Sequence, residues 1–260
     1  MPTPAAALRS FPGRLADLLW APVNLLQFAF GFLWTAFWIT VALLATLLTG
    51  SRRVSLWLAR RVWARGLLAA GGARLRVTGR EHLAGLPGAL LVANHRSHLD
   101  IAALFAAVPA PLGFVAKREL AAVPFLGWYI RAMGMVFVDR ADRRAAAASV
   151  EAAGALIARG RLLVTFPEGT RSRDGSLGPF KRGGFVAALA AGVPVVPVAL
   201  AGTEVVMPPG RLRSRPGPVR VAFGAPISTA GRDPGTRAEL ARECEVAIAE
   251  LLARLGARPA

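Results

Sequence analysis

Ala89-Leu90-Leu91-Val92-Ala93-Asn94-His95-Arg96-Ser97-His98-Leu99-Asp100 passes from an unbroken apolar run, through a polar loop, into a helical pattern. A short run that is apolar at every residue fits a strand covered on both faces rather than one with a wet side. Similar β-type runs recur at 74–78, 112–116, 135–138, 161–166, 195–200 and 219–223. Helical stretches lie between or after them, near 100–107, 123–133, 142–158, 182–191 and 236–255. This alternation predicts an α/β fold, a mainly parallel seven-stranded sheet flanked by helices. Ligands of such sheets bind beyond the carboxyl ends of the strands. The loops after 89–93, 135–138 and 161–166 are therefore the places to look for chemistry. In the last helix Leu240, Cys244, Ile248, Leu251 and Leu255 recur at helical spacing, so Cys244 is expected in the core.

The chain has 260 residues, enough to bury a sizeable core. Hydrophobic residues make up 54% of it and charged ones 18%, which excludes a disordered or acidic chain. Lys and Arg outnumber Asp and Glu by 32 to 15, a formal charge of +17, which points to an anionic surface, membrane or nucleic acid. A single cysteine excludes an internal disulfide framework and a Cys-rich metal site.

The N-terminal region separates the two anionic surfaces. No charged residue lies between Asp17 and Arg52, and residues 28–48 are nearly all apolar. As a helix such a run is about 30 Å long, the thickness of a hydrocarbon core. It exceeds the roughly 7–15 residue apolar core of a signal peptide. Arg52, Arg53, Arg60, Arg61 and Arg65 follow, with no acid before Glu81. This places the body of the protein on the cytoplasmic side of a bacterial-type inner membrane. Residues 1–72 are thus expected to be a membrane-anchoring segment, with an apolar helix at about 20–49 and an interfacial Arg-rich helix at about 52–70. Residues 73–260 are expected to form the catalytic domain, with Gly71 and Gly72 as the link. A helical hairpin dipping into one leaflet is the other arrangement the two segments allow. A nucleic-acid partner is not expected: the aromatics concentrate in the N-terminal region, and Tyr129 is the one tyrosine.

Three loops carry the polar chemistry. Two of the three histidines stand in Asn94–Asp100, and His95 and Asp100 are spaced to let the carboxylate reach one imidazole nitrogen. An aspartate so placed fixes the tautomer and stabilises the imidazolium of a general base. Two other readings stand beside it. Ser97-His98-Leu99-Asp100 also fits a helix capping box, and His95, His98 and Asp100 could ligate a metal. The second loop, Phe166-Pro167-Glu168-Gly169-Thr170-Arg171-Ser172, has a glycine suited to a tight turn and an arginine able to fork two donors onto a phosphate. A local Glu168–Arg171 ion pair is the plainer alternative. The third loop ends in Asp139-Arg140, which alone signals little. There is no G-x-S-x-G elbow, no Walker A loop and no dinucleotide glycine motif. With no nucleophile signature, a His–Asp base most economically activates a hydroxyl that the substrate supplies, and the anchor suggests a lipid.

These residues resemble the glycerolipid acyltransferases of the 1-acylglycerol-3-phosphate acyltransferase type. Four blocks match in order: NHxxxxD at 94–100, GxxFVDR at 134–140, FPEGTRS at 166–172, and the proline-containing apolar run at 193–198. Lys117-Arg118-Glu119-Leu120 also resembles the family's segment between the first two blocks. The resemblance covers about residues 74–225. It implies that His95, oriented by Asp100, deprotonates the free hydroxyl of a lysophosphatidate-like acceptor. That hydroxyl attacks the thioester of acyl-CoA or acyl-carrier protein and yields phosphatidic acid without an acyl-enzyme. It assigns Glu168, Gly169, Thr170 and Arg171 to the acceptor site, and offers Lys117, Arg140 and Arg171 as grips on the phosphate. It implies no metal and no redox cofactor. Another lyso-lipid, or glycerol 3-phosphate, is the alternative acceptor.

Overall fold

The computed structural model describes the backbone of residues 4–139, 143–172 and 175–257, and their side chains except those of 4–18 and 143. The strands are β1 (Ala73–Thr78), β2 (Ala89–Ala93), β3 (Leu112–Lys117), β4 (Val136–Val138), β5 (Leu162–Thr165), β6 (Val195–Ala201) and β7 (Gly217–Phe223). They form one seven-stranded sheet in the order β1-β7-β6-β2-β5-β3-β4. Every pairing is parallel except β6 with β7, so the sheet is mainly parallel, as the strand–helix alternation predicts.

The helices are α1 (Pro4–Thr49), α2 (Arg53–Leu58), α3 (Ala64–Ala70), α4 (Leu99–Ala107), α5 (Leu126–Ala132), α6 (Arg143–Ala158), α7 (Gly183–Ala191), α8 (Thr203–Val206) and α9 (Arg237–Arg254). The predicted helix at 123–133 begins only at Leu126, because Pro124 holds Val123 extended and Phe125 takes φ 60°. Residue 142, placed at the start of a helix by the sequence, lies outside the described residues.

Alternation along each strand divides the core. Leu91, Ala93, Leu112 and Val164 face the N-terminal helices, α4 and α5, while Leu90, Val92 and Leu163 face α6, α7 and α9. Both faces are covered, which is why the central strands read as continuous apolar runs. Cys244 is fully buried under the second face, and burial pushes its thiol pKa upward.

The Arg-rich segment is not merely a surface stripe. It folds back on α1 as a hairpin, passing from α2 through a single π turn, Ala59–Trp63, into α3. Ser55 Oγ donates to Ala42 O at 2.7 Å, Trp63 Nε1 donates to Thr35 Oγ1 at 3.1 Å, and Trp34 Nε1 donates to Trp63 O at 3.0 Å. Leu56, Ala59, Ala64 and Leu68 are buried, and Arg60 Nε donates to Val108 O at 3.1 Å. The second arm of the hairpin is thereby packed against α4 and the body of the fold. The outer face of α1 has no such cover: Leu25, Leu26, Phe32, Leu33, Phe37, Leu47 and Leu48 are exposed. From Leu19 to Thr49 this helix is long and apolar enough to cross a membrane.

Candidate active site

Strands β2, β5, β3 and β4 are consecutive neighbours and parallel, so their carboxyl ends share one edge of the sheet. Residues far apart in sequence meet there. Asn94, just past β2, straps its loop to the next strand: Asn94 Nδ2 donates to Leu200 O at 3.0 Å and Leu200 N donates to Asn94 Oδ1 at 2.7 Å. This reciprocal pair continues the sheet's ladder through a side chain and sets where His95 begins.

His95 Nδ1 lies 2.8 Å from Asp100 Oδ2. Asp100 is fully buried, and the same oxygen accepts the N–H groups of Arg96 at 2.7 Å and Ser97 at 2.8 Å. The N–H of Ser97 on the Asp100 carboxylate is half of a capping box, so one carboxylate both closes the start of α4 and holds the imidazole. A carboxylate accepts hydrogen bonds, so this contact suits the tautomer with its N–H at Nδ1 and its lone pair at Nε2. Phe166 fixes the ring from its face, stacked at a centroid distance of 4.1 Å and 19°.

The loop after β5 supplies the second wall. Gly169 sits at φ +77° and its N–H closes a turn on Phe166 O at 3.1 Å. Glu168 is buried, its Oε1 accepting His95 N at 2.7 Å and its Oε2 accepting Gly178 N at 3.0 Å. Burial raises the Glu168 pKa, and the two amides oppose that rise. Glu168 thus faces the backbone under His95 rather than the cavity, and a Glu168–Arg171 ion pair is not what holds the turn. Ser172 N donates to His95 O at 2.9 Å, so the two loops are laced on both sides of the histidine.

His95 opens onto a cavity of about 470 Å³. Lys117, Gly169, Thr170 and Arg171 line it beside His95 and His98. The wall then turns apolar through Phe114 and Phe105 and reaches Ile39 and Ala42 of α1 and Ala59 of the hairpin's second arm. His98 has its pKa lowered by desolvation first, then by the positive charge of Arg171. Asp139 is tied to Arg118 Nη1 at 2.9 Å, joining the end of β4 to the segment after β3. Arg140 lies outside the described residues. Among the described residues no group of three or more His, Cys, Asp or Glu is placed to hold a metal ion.

Local patterns name His95, Asp100 and the Phe166–Ser172 loop. They do not name the cavity walls contributed by α1 and α2, nor the strap role of Asn94. An apolar helix face carries no mark of what it will line.

A family model described as Acyltransferase matches residues 74–201. The chain is 31% identical to the 1-acyl-sn-glycerol-3-phosphate acyltransferase of Saccharomyces cerevisiae, over 86% of this chain and 75% of that protein. It is 31% identical to that of Pseudomonas aeruginosa, over 78% of this chain and 75% of that one. It is 41% identical to a chloroplastic relative from Brassica napus over 52% of this chain, and spans only 40% of that protein's length. It likewise spans less than half the length of the relatives from Chlamydomonas reinhardtii and Arabidopsis thaliana. The crystal structure of the 1-acyl-sn-glycerophosphate acyltransferase PlsC from Thermotoga maritima is similar throughout, with a TM-score of 0.79 and 28% identity, covering 94% of this chain and 98% of that one. With the His95–Asp100 pair, the mainly parallel sheet and these matches together, the chain belongs to the 1-acyl-sn-glycerol-3-phosphate acyltransferase family.

Proposed function

We propose that the chain transfers a fatty acyl group from the thioester of acyl-CoA or acyl-carrier protein to the free hydroxyl of 1-acylglycerol 3-phosphate, forming phosphatidic acid. The observation that carries this reading is an imidazole held by a buried carboxylate beside a largely apolar cavity whose far wall is the N-terminal helix pair. His95 Nε2 takes the hydroxyl proton as the oxygen attacks the thioester carbonyl carbon. The tetrahedral intermediate collapses, the C–S bond breaks, and the imidazolium returns its proton to the departing thiolate. Asp100 stabilises the imidazolium between these steps. Glu168 acts as a positioning residue through the His95 amide. Lys117 and Arg171, both at the cavity mouth, grip the acceptor phosphate. The cavity falls within the roughly 300–1,000 Å³ range of small-molecule sites and takes the acyl chain that is transferred.

The uncovered apolar face of α1 beds in the bilayer, and the exposed Arg53, Arg61 and Arg65 of the following arm meet lipid phosphates on the cytoplasmic side. The acceptor, which keeps its tail in the bilayer, is then delivered from the membrane. The decisive experiment offers a panel of lyso-lipids and glycerol 3-phosphate to the full chain, with acyl-CoA and acyl-carrier protein compared as donors and products read by mass spectrometry. Phosphatidic acid from lysophosphatidate is expected as the main product. A preference for another acceptor overturns the substrate assignment, and no transfer to any acceptor overturns the enzymatic reading.

A further inference from the structure

Residues 120–130 carry no charge, with Lys117, Arg118 and Glu119 before them and Arg131 after. The exposed members of this run are all apolar: Ala122, Val123, Pro124, Phe125 and Trp128. The rings of Phe125 and Trp128 meet at a centroid distance of 5.3 Å. A scattered apolar residue on a surface is ordinary. This group is set apart by its backbone. Leu126 N donates to Pro124 O at 2.6 Å across Phe125, which takes φ 60° and ψ −54°. That is the rare, strained form of the three-residue γ-turn. Phe125 is the one residue other than glycine with positive φ among the described residues.

The turn is braced from both sides. Val123 N donates to Leu120 O at 3.2 Å, and Gly127 N donates to Val123 O at 2.8 Å. A Cβ at Gly127 would collide with Ala121 O, so the chain entering the turn touches the start of α5. The two rings therefore stand on a tip fixed by its own backbone. Strain at a residue whose side chain stays exposed is little repaid by packing within the chain, and such strain clusters at functional sites.

The position of the tip says what meets it. Leu120, Leu126, Tyr129 and Ile130 of the same segment line the cavity beside His95. Trp38 of α1 lines it too, and α5 packs against α1. Trp38 meets the ring of Phe37 edge-on at 5.2 Å, and Phe37 belongs to the uncovered face of α1. The exposed surface of the tip and that of α1 thus flank one cavity, on the side of the sheet away from α6, α7 and α9. Trp and Phe bordered by arginine are the residues that settle at a membrane–water boundary.

We propose that residues 122–128 are a second bilayer contact, with Val123, Phe125 and Trp128 seated at the boundary of headgroups and acyl chains. The cavity is then held against the membrane from both of its walls, α1 and α5. The proposal rests on the reading that the uncovered face of α1 beds in the bilayer.

Cys244 is buried, so a single added cysteine can be labelled selectively. Phe125→Cys, Trp128→Cys, Phe37→Cys and Val246→Cys, each in the full chain, carry a polarity-sensitive fluorophore. Val246 is exposed on α9, across the sheet, and is the aqueous control. With vesicles of phosphatidylcholine and phosphatidylglycerol, the labels at Phe37, Phe125 and Trp128 are expected to shift to the blue and to be quenched by acyl-brominated lipid. The label at Val246 does neither. In parallel, Phe125→Ser combined with Trp128→Ser raises the KM for lysophosphatidate held in vesicles by about ten-fold or more. Its kcat/KM for a short-chain, monomeric lysophosphatidate is unchanged. Quenching at Phe37 without quenching at Phe125 and Trp128 overturns the second contact and leaves the anchor standing. Quenching at none of the three overturns both. A blue shift at Phe125 that needs no lipid and grows with protein concentration assigns the tip to a second copy of the chain instead. An equal loss on both acceptors shows that the tip only supports the fold.

Discussion

The Glu168 carboxylate accepts the backbone N–H of His95 at 2.7 Å, across a sequence separation of 73 residues. The loop after β5 therefore holds up the loop after β2 directly beneath the imidazole. Glu168→Ala strands two buried amides, those of His95 and Gly178, without an acceptor. It is expected to cost about 1–3 kcal/mol of stability and to lower kcat by more than it raises either KM. Urea unfolding beside steady-state kinetics checks both, and unchanged kcat in a folded variant refutes the positioning role.

His95→Ala removes the proposed proton acceptor while leaving the Glu168–amide link, which uses only backbone at residue 95. Turnover should fall by roughly 10²–10⁴-fold, with thermal unfolding and membrane partition little changed. Product formation followed by mass spectrometry is the readout, and residual activity near wild type removes His95 from the mechanism.

Arg171→Ala is expected to raise the KM for a phosphate-bearing acceptor by about ten-fold or more, the scale of a lost charge-assisted contact. A matched acceptor lacking the phosphate, monoacylglycerol, should be indifferent to the change. Equal effects on both acceptors would show that Arg171 holds the loop rather than the phosphate.

His98 shares the cavity mouth with Arg171, and its pKa lies below the ordinary histidine value through desolvation and then through that neighbour's charge. It is neutral at neutral pH and gains a proton only on the acid side of that ordinary value. A second cation then stands beside Arg171, the proposed phosphate grip, so acceptor KM should fall as pH drops through that window. Folding runs the other way: with a depressed folded pKa the unfolded chain binds the proton first, and His98 reduces stability as pH falls. Acceptor KM measured against pH in the wild type and in His98→Gln separates these effects, and identical profiles dismiss His98 as a contributor.

Ala42 is buried in α1 and lines the apolar part of the cavity. Ala42→Leu adds about three carbons' volume to that wall and is expected to shift donor preference towards shorter acyl chains. A length series of saturated thioesters reads this directly, and an unchanged optimum would place the acyl chain elsewhere.

Much of this was legible in one dimension, and for identifiable reasons. The apolar run at Ala89–Ala93 reads as a doubly covered strand because periodicity reports burial on both faces. The five-residue spacing of His95 and Asp100 reads as a dyad because a strand-to-helix turn is short enough for its two ends to meet. Glu168 was legible as a residue of interest but not in its orientation. Nothing local says that its carboxylate turns to an amide on another loop, since that depends on β2 and β5 being neighbours. The antiparallel pairing of β6 with β7 was equally silent, because strand direction is set by the path of the connection and not by the strand's residues.

The sequence by itself determined the class of chemistry: an imidazole backed by a carboxylate, arginines suited to a phosphate, and an apolar N-terminal helix, each written within a window of a few turns. Only the tertiary structure decided what that chemistry is joined to. The hairpin packs α1 over the carboxyl edge of the sheet, so Ile39 and Ala42 share one cavity with His95. Contacts of that kind arise from many weak apolar interactions between distant segments, and no single one of them leaves a local mark in the chain.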